Sequence, residues 1–233
     1  EVVDICDDKL LTYSFLSEHN ISAPLTFELQ DFLDNPDLLQ YPIIVKPKKG
    51  GARSKNVYLI KDRRSLDSLL AKEDYQKIGY VAQEYIEGDE YTCGTVNLEG
   101  RCHGVIVMRR ILRDGDTYKC FSEKNQIIED EVIKVMEALK PFGACNVQLR
   151  LKDGKPYVFE INARCSGTTA ARSICGFNEP KMISDYLILN EKPVFEIKEL
   201  SILRYWKELV VDNSKIEDFR KDNFIVNDKF QKL

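Results

Sequence analysis

At 233 residues, with 43% hydrophobic and 31% charged side chains, the chain has the length of one large domain or two small ones. Its composition is that of a folded globular protein, not of a disordered tail or a disulfide-stapled mini-scaffold. The 34 Lys and Arg against 38 Asp and Glu leave a net charge of −4, which argues against a sequence-independent grip on a nucleic-acid backbone.

No apolar run reaches the roughly 20 residues needed to cross a bilayer, so neither nucleic acid nor membrane is an expected partner. The 7 cysteines are odd in number, scattered and without a C-x-x-C pair, which fits reduced thiols and a cytoplasmic location rather than a disulfide framework or a zinc ribbon.

In chain order, Asp7 to His19 carries Leu10, Leu11, Phe15 and Leu16 at helical spacing and stops at Asn20 before Pro24. From Tyr41 the text turns β-rich: PIIVKP, a Gly-rich connection KKGGARSKN, then VYLI, read as a strand, a loop and a returning strand. A short helix follows over Arg64 to Lys72. YVAQEYI, EYTCGTVNL and RCHGVIVMRRIL are read as antiparallel sheet. IIEDEVIKVMEAL is the clearest amphipathic helix, with Ile128, Val132, Val135, Met136 and Leu139 on one stripe. The strands ACNVQLRL and PYVFEIN flank Lys152-Asp153-Gly154, and a helix MISDYLIL and a strand LRYWKELVV complete the domain. Helices and antiparallel strands without a βαβ rhythm place the chain in the α+β class.

The chemistry concentrates in the hairpin after Ala144. Asn146, Gln148 and Arg150 alternate with Val147, Leu149 and Leu151, and Glu160, Asn162 and Arg164 alternate with Phe159, Ile161 and Ala163. A two-residue turn at Asp153-Gly154 would pair Gln148 with Phe159 and turn the polar faces apart. A three-residue loop Lys152-Asp153-Gly154, with Gly154 left-handed in a bulge, would instead pair Asn146 with Glu160 and Gln148 with Val158, so the three-residue loop is expected. Converged amide and carboxylate oxygens with few carboxylates suit Mg²⁺ held partly by substrate phosphates. A solvated sheet face is the alternative.

Further motifs stand in order along the chain. Lys46 ends a strand before the Gly-rich stretch Lys48 to Asn56, a placement suited to a phosphate chain. Neither a Walker A pattern nor G-x-G-x-x-G occurs. QEYIEGDEY offers backbone groups around Tyr85 and Ile86 for a base edge, and Glu84 and Glu90 for ribose hydroxyls.

With these motifs, above all NVQLRLKDGKPYVFEINARCSG, the chain from about Asp7 to about Val211 resembles the ATP-grasp superfamily, in particular the ATP-binding domains of the carbamoyl-phosphate synthase large subunit and its stand-alone relatives. The resemblance implies two α+β subdomains gripping ATP between antiparallel sheets: an entry helix over 1–40, a lid over 41–86, a metal-bearing subdomain over 87–211 and a peripheral tail over 212–233. It implies one or two Mg²⁺ ions, or Mn²⁺, on Gln148, Glu160 and Asn162. Arg164 and, more loosely, Lys119 or Arg109 would assist phosphoryl transfer. Lys9, Lys46, Gly51, Ser54, Glu84, Tyr85, Ile86, Glu90 and Phe159 would contact the nucleotide.

The implied activity is an ATP-dependent carbon–nitrogen ligase that makes an acyl-phosphate from a carboxylate or bicarbonate for attack by an amine or ammonia. The alternative is a nucleotide-binding module without catalysis of its own. The family carries an N-terminal domain of roughly 100 residues, a usual domain size. A fragment or a subunit with a partner is therefore expected, and a homodimer is compatible. Neither His103 nor Cys165-Ser166-Gly167-Thr168 names the acceptor.

Overall fold

The computed structural model describes residues 1–50, 55–72 and 79–205, and every element below lies in one unit, Glu1–Leu203. Helix α1 (Val2–Asp7) leads into α2 (Lys9–Glu18), whose N-cap Asp8 accepts from the Leu10 and Leu11 amides at 3.0 and 3.3 Å. Strand β1 (Thr26–Glu28), α3 (Leu29–Asp34), β2 (Ile43–Pro47), β3 (Tyr58–Ile60), α4 (Arg63–Leu70) and β4 (Tyr80–Glu84) follow. The strands form an antiparallel four-stranded sheet in the order β1-β4-β2-β3. Alternation along β2 sends Ile43 and Val45 into a core with Leu29, Phe32 and Leu66, which leaves Lys46 on the other face.

The second sheet is built from β5 (Asp89–Leu98), β6 (Arg101–Arg113), β7 (Asp116–Ser122), β8 (Gly143–Lys152), β9 (Lys155–Asn162) and β10 (Ser201–Leu203). Its order is β10-β7-β6-β5-β8-β9 and its pairings are antiparallel. Helix α5 (Gln126–Leu139) lays the expected stripe of Ile128, Val132, Val135, Met136 and Leu139 on one face, against Tyr91, Cys93, Val105, Val107, Val147 and Leu149. Each of those helix side chains contributes about 1.5–3 kcal/mol by leaving water.

The opposite face is apolar at one end only. There Val96, Leu98, Ile106 and Met108 are covered by Phe177 and Met182, from and beside α6 (Thr169–Ile174) and α7 (Glu179–Leu189). Its other end carries polar groups.

The expected loop at Asp153-Gly154 is corrected. Lys152 pairs with Lys155, so the turn has two residues, with positive φ at both Asp153 (51°) and Gly154 (76°), the backbone that an Asp-Gly hairpin turn favours. Leu149 pairs with Val158, and a register shift at Phe159 then pairs Gln148 with Glu160 and Asn146 with Asn162. A bulge at Phe159 therefore brings the polar faces together, where the expectation had assigned that job to a three-residue loop with its bulge at Gly154. In both accounts the polar faces converge, but every expected partner moves by two residues.

Four stretches were not anticipated: α1, the β1–α3 pair, β7 and α6. The run LRYWKELVV was expected as a strand, but β10 ends at its first residue, and 206–211 lie outside the described residues, as do the tail 212–233, Gly51 and Ser54. All 7 cysteines are free thiols. Among the described residues no helix is long and apolar enough to cross a membrane.

Candidate functional site

Cross-strand neighbours on one face bring the polar groups of the six-stranded sheet together: Glu90 opposite Arg150, Thr92 opposite Gln148, Gln148 opposite Glu160 and Asn146 opposite Asn162. Glu160 Oε1 accepts from Asn162 Nδ2 at 2.7 Å and from Gln148 Nε2 at 3.5 Å. The amide oxygens turn to guanidinium donors, Arg164 Nη2 reaching Asn162 Oδ1 at 3.2 Å and Arg110 Nη2 reaching Gln148 Oε1 at 2.7 Å. Glu90 bridges two arginines, with Arg110 on Oε1 at 2.6 Å and Arg150 on Oε2 at 2.7 Å.

From the four-stranded sheet, Lys46 faces this cluster with its Nζ 5.5 Å from the centre of the Phe159 ring. Burial pushes its pKa down to about 8, against the opposing pull of Glu160 and with a smaller push from Lys9. Lys9 is also lowered by burial, again opposed by Glu160, and its Nζ donates to the Gly50 carbonyl at 2.5 Å. Glu160 thus lies in the field of lysines from both α2 and β2. Lys9, Lys46, Arg110, Arg150 and Arg164 outnumber the carboxylates Glu90 and Glu160, and a space with that excess of cations suits a polyanion.

Among the described residues no cluster of three His, Cys, Asp or Glu exists to hold a metal unaided. The Glu160 carboxylate with the Gln148 and Asn162 amides is a hard oxygen set short of negative charge. Such a set fits Mg²⁺ or Mn²⁺ that takes its remaining ligands from phosphate and water.

The adenine and ribose candidates lie where the sheets join. The Glu84 amide donates to Leu25 O at 2.8 Å, and its carboxylate accepts from Leu25 N at 3.2 Å. The Tyr85 ring carries the Arg150 guanidinium at 5.5 Å, and Ile86 is buried. Gly88 passes so close to β8 that a Cβ would meet Leu151 O at 2.1 Å. Lys119 and Arg109 are not brought into the cluster. In β6 and β7, Arg109 pairs with Phe121 and Ile111 with Lys119, alternating with the Arg110–Cys120 pair, so they occupy the opposite face.

The basic residue of these strands that does reach the cluster is Arg110, bonded to Glu90 and Gln148. Sequence reasoning missed it because GVIVMRR has apolar residues on both faces, and alternation alone does not say which arginine faces the site. Arg172, buried beside Asn146, was also missed, since its helix carries no periodic signal in so short a run.

A model of the ATP-grasp domain family matches residues 6–168. The chain is 31% identical over 175 residues to a D-alanine–D-alanine ligase A of Bacillus cereus, a match covering 68% of this chain and 57% of that protein. It is 27% identical over 198 residues to the carbamoyl phosphate synthase large chain of a Thermoanaerobacter species, covering 74% of this chain and 17% of that protein. The fold is shared with the N5-carboxyaminoimidazole synthetase of Staphylococcus aureus in complex with ADP, at a TM-score of 0.72, 17% identity and coverage of 94% of this chain and 61% of that one. Matches to several ligase types leave the narrower resemblance to carbamoyl-phosphate synthase undistinguished from its sister branches.

Proposed function

The chain belongs to the ATP-grasp family, and from that premise we propose that it binds Mg-ATP between its two sheets to phosphorylate a carboxylate or bicarbonate for attack by an amine or ammonia. The observation that carries the reading is Glu160, joined to Asn162 and Gln148 on one sheet and facing Lys46 and Lys9 from the other side. The chain spans 57% of the length of the Bacillus cereus ligase, so the activity and partners of a whole enzyme are part of the proposal. Free thiols throughout accord with a cytoplasmic location.

In this reading Glu160, Gln148 and Asn162 hold one or two Mg²⁺ ions, which when bound neutralise charge on the phosphates. Lys46 and Lys9 spread cationic charge along the phosphate chain, and Phe159 walls the space beside Lys46. Tyr85 and Ile86 present backbone to the base edge, with Glu84 and Glu90 towards the ribose. Arg164 leans on the transferring phosphoryl group. A carboxylate oxygen attacks the γ-phosphorus, the bond to the bridging oxygen breaks and ADP leaves. The amine then attacks the acyl carbon, phosphate leaves and the amine proton passes to solvent. Catalysis is alignment and charge stabilisation, so a small displacement of these groups is costly.

The test is thermal melting with millimolar Mg-ATP, followed by phosphate release over a panel of amino acids, bicarbonate and ammonia. A ligand that prefers the native state raises the melting temperature. A folded sample showing no shift refutes the nucleotide site. A shift without phosphate release under any acceptor refutes the ligase reading of this chain and leaves a nucleotide-binding module.

A further inference from the structure

We infer that Arg172 is a positioning residue for the metal and phosphate groups, a role that rests on the reading above. Arg172 and Glu179 are both 0% exposed, and Arg172 Nη1 donates to Glu179 Oε1 at 2.5 Å. Arg172 Nη2 lies among the oxygens of Asn146, Ser166 (2.9 Å), Thr168 (2.9 Å) and Thr92 (3.4 Å).

Those partners sit one step from the candidate ligands. Asn146 is two residues before Gln148 on the same face of β8 and is the cross-strand partner of Asn162. Thr92 is the partner of Gln148 and donates to Asn146 Oδ1 at 2.7 Å. Ser166 and Thr168 belong to the segment that leaves β9 just after Arg164. A single guanidinium therefore ties β5, β8 and the segment carrying Arg164 to one point. The sheet makes room for it with Gly94, where a Cβ would lie 2.4 Å from Arg172 Nη1.

Stability alone is a poor reason for this arrangement. A buried ion pair seldom outperforms well-packed apolar side chains, and this one leaves Arg172 Nε, Glu179 Oε2 and Asn146 Nδ2 buried with no hydrogen-bond partner among the described residues. What the pair supplies is geometry. The planar fork meets Glu179 with one nitrogen and the side-chain oxygens of Asn146, Ser166, Thr168 and Thr92 with the other, which a lysine ammonium on a flexible stem does not do.

The test uses the full 233-residue chain with Mn²⁺ and a non-hydrolysable ATP analogue. Bound Mn²⁺ is followed by electron paramagnetic resonance, with melting curves in parallel. In R172M/E179L both buried charges are gone, and the melting temperature is expected to stay within a few degrees of wild type while Mn²⁺ affinity falls about 10–100-fold, the usual effect of losing groups that orient metal ligands. R172K keeps the charge opposite Glu179 and should bind Mn²⁺ at an intermediate level. S166A/T168V keeps the ion pair and should weaken Mn²⁺ several-fold.

Wild-type Mn²⁺ affinity in R172M/E179L overturns the inference. If that variant does not fold, wild-type affinity in S166A/T168V overturns it equally. Failure of the wild-type chain to bind Mn²⁺ with the analogue refutes instead the site reading on which the inference stands.

Discussion

The two sheets bring cations to the same space in opposite states. On the six-stranded sheet the guanidiniums are already engaged: Arg110 and Arg150 share Glu90, and Arg164 holds Asn162. On the four-stranded sheet Lys46 is 5% exposed, its Nζ lies 5.5 Å from the Phe159 ring centre, and burial holds its pKa near 8. An arginine keeps its proton across the whole accessible pH range, whereas Lys46 loses its own as pH climbs past about 8. One sheet is therefore a preset polar frame, and the other carries a charge that strengthens when an anion arrives.

The largest effect should come from the join between the sheets. Gly88→Ala drives a methyl against Leu151 O, 2.1 Å away and part of the backbone, so the link from β4 to β5 must shift. A loss of about 2–4 kcal/mol is expected from overpacking against a rigid neighbour, read by urea denaturation. A variant as stable as wild type would mean that the frame does not fix the join.

Next is the frame itself. Glu160→Gln preserves shape and should leave the melting temperature almost unchanged. It removes the carboxylate that Asn162 and Gln148 share and that Lys46 and Lys9 face. Titration calorimetry should show Mg-dependent ATP binding weakened about 100-fold, or about 2.7 kcal/mol. Unchanged Mg²⁺ dependence would remove Glu160 from the metal set.

The responsive sheet is tested by pH. The free-protein pKa of Lys46, about 8, lies below its ordinary 10.5, so above pH 8 the folded chain carries fewer protons than the unfolded one. Stability from this group therefore rises as pH climbs from 8 towards 10.5. Nucleotide binding moves the other way, because a phosphate favours the charged lysine. ATP affinity should fall up to tenfold per pH unit above 8, about 1.4 kcal/mol, with proton uptake on binding. Lys46→Arg should flatten that profile. An identical profile in this variant assigns the dependence to another group.

The smallest change probes the hairpin that carries the frame. Gly154 has φ 76° with open space where a Cβ would go, so Gly154→Ala strains only the backbone and should cost about 1 kcal/mol in thermal melting without altering ATP affinity. A larger loss together with weaker ATP binding would show that the turn, and not the bulge at Phe159, sets the register.

Much of the fold was legible because its signals are local. The stripe from Ile128 to Leu139 is buried as its spacing demanded, and PIIVKP and VYLI pair as a returning hairpin. α1 and β7 were missed, since VVDICD is too short to show a helical period and DTYKCFS too mixed to show a strand period. At the candidate site Gln148, Glu160 and Asn162 were recognisable as oxygen groups on alternating positions, and they do converge. Which arginine joins them was not recognisable. Arg109 and Arg110 are adjacent, and a strand apolar on both faces hides which one looks inward.

The amino-acid order alone determined the α+β class and the order of the motifs, because periodicity and spacing are properties of the chain taken one segment at a time, and the motifs carried the resemblance to the family. The tertiary structure decided the bulge at Phe159, the choice of Arg110 over Arg109 and Lys119, and the burial of Arg172 against Gly94. Each depends on what a second strand or helix places opposite the residue. A register shift of one position reverses the face of every side chain beyond it, and no local pattern records where that shift occurs.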